Sequence, residues 1–84
     1  MMIKLLKINY LGGYEFDLLF SDGSEGVFDL KAYLAQRSGT LLTALQDEDY
    51  AGRAFIEAGA LCWPNGLELS ARRLHELAGF KLAA

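Results

Sequence analysis

The sequence predicts an α+β fold, a small two-layer domain in which a mostly antiparallel sheet carries two to three short helices on one face. Three observations point there. Apolar and polar residues alternate through roughly the first 30 positions, the spacing turns helical at Asp29, and it does so again at Ser70. The chain of 84 residues is read as a single domain, 1–84, because at that length one two-layer core is all that burial can sustain.

The first strand is read from Met2 to Tyr10, with Met2, Leu6, Ile8 and Tyr10 on its inner face. After the turn signal Leu11-Gly12-Gly13, Tyr14, Phe16, Leu18 and Phe20 alternate with outward Glu15 and Asp17. Asp22-Gly23 suits a hairpin turn into a third strand, Glu25–Phe28. Asp29 can cap a short helix that ends near Ser38-Gly39, and Leu41, Leu42 and Leu45 place one or two further helical turns on the core. The acidic run Asp47-Glu48-Asp49 reads as a solvated connection to the next strand. Phe55-Ile56-Glu57 and Leu61-Cys62-Trp63 form one bent strand or, the preferred reading, a tight hairpin that joins the first sheet. Pro64-Asn65-Gly66 is a turn, and Ser70 caps a final helix over Ala71–Ala78 with the stripe Leu74, Leu77 and Ala78.

Composition narrows the function classes. One cysteine permits no intrachain disulfide, the N-terminus has no secretory pattern, and no apolar run approaches a membrane span, so a cytoplasmic location is expected. The net charge of −3 and the single basic pair Arg72-Arg73 argue against direct nucleic-acid binding. For catalysis, Cys62 sits in an apolar strand and the one histidine, His75, is read as solvated on the polar side of the last helix. Asp47-Glu48-Asp49 matches no metal-ligand spacing, Glu15 and Asp17 share a strand face at i, i+2 but read more strongly as the outward polar face of a one-sided sheet than as an acid–base pair, and no glycine-rich phosphate loop is present. No catalytic residue, metal or cofactor is therefore expected, and the chain is read as not an enzyme.

The most specific string is Trp63-Pro64-Asn65-Gly66-Leu67-Glu68-Leu69-Ser70. It resembles the C-terminal hallmark of the bacterial domain-of-unknown-function family 2442, a Trp-Pro-Asn-Gly turn followed by a small residue, an acid, a leucine and a helix. Phe20-Ser21-Asp22-Gly23, Phe28-Asp29-Leu30 and the acidic stretch from Asp47 to Phe55 are similar too. The chain departs from the pattern at Leu67-Glu68, where Ala-Asp is commoner, and at His75, where Tyr is commoner. The resemblance implies a compact α+β domain of unassigned activity, joined in some longer relatives to a helix-turn-helix module and often encoded beside other small proteins in a toxin–antitoxin-like arrangement.

Two functional expectations follow. The first is a small interaction module with a protein partner, antitoxin-like or accessory to regulation, that forms a homodimer through a sheet edge or the apolar tail Phe80-Lys81-Leu82. The alternative is a small-ligand-binding domain using the aromatic sheet face. The candidate binding residues are Trp63, Asn65, Glu68, Tyr14 and Phe16.

Overall fold

The computed structural model describes residues 2–80. In chain order they form β1 (Leu5–Gly12), β2 (Glu15–Phe20), β3 (Glu25–Asp29), α1 (Leu30–Ala35), α2 (Thr40–Thr43) and a 3-10 turn (Ala44–Gln46). There follow α3 (Glu48–Ala51), β4 (Phe55–Glu57), β5 (Ala60–Cys62), β6 (Glu68–Leu69), α4 (Ala71–Leu77) and β7 (Gly79–Phe80). The expected α+β class is found, with every strand pairing antiparallel.

The opening meander is the scaffold. Strand β2 lies between β1 and β3, and its inward residues Phe16, Leu18 and Phe20 are fully buried. The helices turn Leu30, Leu34, Leu45, Ala51, Ala71 and Leu74 into that same core. Glu15 and Glu25 stay exposed on the outer side, as a one-sided sheet requires. Strand β7 adds to the free edge of β3.

Strand β1 departs from the simple alternation. Leu5 pairs with Phe20 but Lys7 pairs with Leu19, so Leu6 is an extra residue in a bulge. Its consequence is a change of parity: Leu5 is buried while Leu6 is 53% and Met2 80% exposed, and Ile8 and Tyr10 face inward beyond the bulge.

A second correction concerns β4 and β5, which do not extend the first sheet. They form their own sheet with β6. The two sheets meet where the Leu5 N–H donates to the Gly59 carbonyl at 2.8 Å, beside the bulge. A bulge bends its strand and interrupts the ladder, so the edge of β1 offers no continuous run for a further strand to pair with. The preferred hairpin is present: Ala58 and Gly59 form its two-residue turn, both with positive φ, 52° and 78°. Alanine is strained there, whereas Asn-Gly is the favoured pair for such a turn. Ala58→Asn is expected to stabilise the chain by about 0.5–1 kcal/mol, read as a raised midpoint in urea.

The helices are short and capped by side chains. Asp29 accepts from the Ala32 N–H at 3.1 Å and Ser70 from the Arg73 N–H at 3.1 Å, both as expected. The Asp47–Asp49 run is not a bare connection. Asp47 accepts from the Asp49 N–H at 3.0 Å and starts α3, with Glu48 and Asp49 in the first turn where the helix dipole favours acids. Leu41 is 43% and Leu77 40% exposed, against expectation. In α4 the buried pair is Ala71 and Leu74, and Leu77 lies about 60° further round the helix than Leu74.

Candidate functional site

The Trp63-Pro64-Asn65-Gly66 turn joins three elements. Its backbone closes on itself: the Gly66 N–H donates to the Trp63 carbonyl at 3.0 Å, and the Trp63 N–H donates to the Leu67 carbonyl at 3.0 Å. Gly66 takes φ +93°, a conformation that L side chains rarely adopt. Trp63 is 1% exposed, and its indole N–H donates to the Ala51 carbonyl at the end of α3 at 2.9 Å. Asn65 reaches the other way: its amide nitrogen donates to the Leu41 carbonyl of α2 at 2.9 Å, while its amide oxygen accepts from the Leu67 N–H at 3.1 Å. Asn65 does not have positive φ, so the turn uses its side chain rather than its tolerance of left-handed backbone.

The five residues singled out from the sequence do not share one opening. Phe16 is fully buried and meets the Trp63 ring edge-on, with centroids 6.3 Å apart. Both are core residues. Tyr14 sits in the β1–β2 turn at φ 66°, held by its N–H on the Tyr10 hydroxyl at 3.1 Å and by its own hydroxyl, which donates to the Gln46 carbonyl. Partial desolvation, then Glu48, Tyr10 and Asp47, raise its pKa, which keeps that hydroxyl a donor. Tyr14 lines a shallow cleft with Lys31, Leu34, Ala35 and Gln46. Glu68 is exposed on β6, opposite Cys62. Burial foremost, then Glu68 and Glu57, push the Cys62 thiol upward, the direction of an unreactive cysteine.

With the geometry in view, comparison with known proteins gives one match: residues 5–79 fit the family described as "Protein of unknown function (DUF2442)". The chain belongs to this family. No curated protein and no solved structure matches it. The span of this DUF2442 domain takes in β1 to β6, all four helices of the described residues and the first residue of β7.

A polar cluster of the DUF2442 domain escaped the sequence reading. His75 on α4 is not simply solvated: its Nε2 lies 3.0 Å from Asp22 Oδ2 and 3.3 Å from Ser24 Oγ, and its ring meets Phe20 edge-on at 5.0 Å. Ser24 donates its hydroxyl to Asp22 Oδ1 at 2.6 Å. A hydrolytic triad sets acid and nucleophile on opposite nitrogens of the imidazole. Here both meet the same nitrogen, and the serine proton faces the aspartate, so the cluster clasps the β2–β3 turn to α4. No signal could have paired positions 22 and 75 before folding. Among the described residues no three His, Cys, Asp or Glu side chains gather as a metal site, and no helix is long and apolar enough to cross a membrane.

The Ser24 hydroxyl, then the Ser24 N–H and His75, hold the Asp22 carboxyl below its ordinary 3.8. A depressed folded pKa contributes stability above the unfolded value, which is lost as pH falls through the folded one. The melting-temperature gap between the wild type and Asp22→Asn is therefore expected to be full above about pH 4 and to close on further acidification.

Proposed function

We propose that this DUF2442 domain is a small non-catalytic interaction module acting through a protein partner in the cytoplasm, in an antitoxin-like or accessory regulatory role. One observation carries the reading. Phe16 and Trp63, the large aromatic rings that a ligand on the inner sheet face would have to meet, are filled in by the domain's own core, whereas Leu6, Leu11 and Phe55 stand exposed on the neighbouring strands β1 and β4. Exposed apolar side chains on adjoining elements suit a partner surface. The regulatory role itself is supported by the family resemblance.

The same surface offers a route to a homodimer: β4 is an edge strand of its sheet, and Leu6 and Leu11 on β1 add exposed apolar side chains beside it. The alternative interface through Phe80-Lys81-Leu82 falls outside the description, because Lys81 and Leu82 lie beyond the described residues and of Phe80 only the backbone is described. Direct binding to DNA is expected to be weak, given the net charge of −3.

The test is co-expression with the small proteins encoded beside it, followed by size exclusion with light scattering. A stoichiometric complex or dimer that is lost in Leu6→Asp or Phe55→Asp, at unchanged melting temperature, supports the reading. A chain that stays monomeric at tens of micromolar and takes up none of those proteins overturns it.

A further inference from the structure

Helices α1 and α4 leave a cleft of about 200 Å³ between them, lined by Phe28, Tyr33, Arg37, Arg73 and Leu77, with Asp29, Ala32 and Gln36 at its margin. Its charge runs against the composition of the chain. Two of only four arginines in an acidic protein line it, Arg37 from just past the end of α1 and Arg73 from the first turn of α4. Arg37 lies over the face of Tyr33, 4.3 Å from the ring centroid, which holds its guanidinium plane in place. Among the described residues Arg37 has no carboxylate within ion-pair distance. Arg73 touches Glu76 at 3.5 Å, but Glu76 is shared with Arg72 at 3.8 Å and all three side chains are solvent-accessible, so this pairing holds Arg73 weakly. The Asp29 carboxylate, the one acid on the lining, is engaged in capping α1.

The remaining walls are apolar. Phe28 is buried and meets Tyr33 edge-on at 5.9 Å, and Leu77 is exposed at the rim. The volume suits one small group, since a cavity of about 150 Å³ accepts benzene. We propose that this cleft binds a carboxylate carried on an apolar or aromatic group: the guanidinium of Arg37, with Arg73 on the same lining, takes the carboxylate, and Phe28, Tyr33 and Leu77 take the body. The site is independent of the β1–β4 surface, and neither reading depends on the other. A free carboxylic acid and the C-terminal residue of a peptide share this chemistry.

Nuclear magnetic resonance titration of the full isotope-labelled chain distinguishes these sources and tests the site. The probes are phenylacetate, phenylacetamide, and a short glycine peptide ending in phenylalanine with a free or amidated C-terminus. Phenylacetate or the free-acid peptide is expected to shift the amides of residues 28–37 and 73–77, with the matching amide about tenfold weaker. A response to both acids assigns the site to free carboxylates as well, and a response to the peptide alone assigns it to chain ends. The double variant Arg37→Met, Arg73→Met keeps the apolar stems and is expected to bind acid and amide equally. Should that variant fail to fold, the salt dependence of the wild type serves instead: added salt is expected to weaken the acid and leave the amide unchanged. Equal binding of acid and amide by the wild type, shifts confined to other residues, or no binding by either acid would overturn the proposal.

Discussion

Trp63→Ala is expected to lower the unfolding free energy by about 3–5 kcal/mol. A domain of 84 residues holds in total roughly 4–13 kcal/mol, at about 0.05–0.15 kcal/mol per residue. The variant would therefore lose between about a quarter and the whole of that stability. Two losses add. The indole is the largest fully buried side chain among the described residues, and removing it leaves a void against Phe16. Its N–H is also the donor to the carbonyl of Ala51, a residue with no exposed surface, which is then left without that partner. Trp63→Phe separates the two effects, because it keeps most of the volume and loses the donor. Urea denaturation of the three proteins is expected to rank them wild type, Trp63→Phe, Trp63→Ala.

Asn65→Ala is expected to cost about 1–3 kcal/mol, the sum of two side-chain hydrogen bonds at roughly 0.5–1.5 kcal/mol each. The cost is not steric, since Asn65 does not have positive φ. Asn65→Asp keeps the oxygen that accepts from the Leu67 N–H but cannot donate to the Leu41 carbonyl, so it should recover only part of the loss. If this turn instead served as a binding rim, Asn65→Ala would melt like the wild type and fail to capture the partner. Melting and capture measured on the same variant separate the two roles.

The parts of this fold legible in the sequence are those fixed by neighbours along the chain. The alternation of Phe16, Leu18 and Phe20 records one buried face, and the caps at Asp29 and Ser70 lie three residues from the N–H groups that they accept. The alternating pattern places Leu6 inward because it cannot register an inserted residue, and the bulge inverts every face on one side of it. Helix α3 left no period to detect, as it makes a single turn from Glu48 to Ala51.

The candidate site follows the same division. The turn at Trp63–Gly66 could be read from its residue types, but not what its side chains reach: Trp63 lies within the core, bonded to Ala51 of a separate helix. Tyr14 and Phe16 share a strand pattern yet part company in the fold, one at a cleft and one in the core. The Asp22–His75 clasp and the cleft that Arg37 and Arg73 share bring together residues from distant segments, and only the folded placement of α4 creates them.

Hydrogen exchange of the Trp63 indole N–H, followed by nuclear magnetic resonance in heavy water, bears most directly on the claim that the Trp63–Gly66 turn clamps the fold. Buried and bonded to the Ala51 carbonyl, this proton is expected to exchange only when the whole domain opens, with the same denaturant dependence as the core amides of β2. Exchange at the rate of a free indole, while those core amides stay protected, would contradict it.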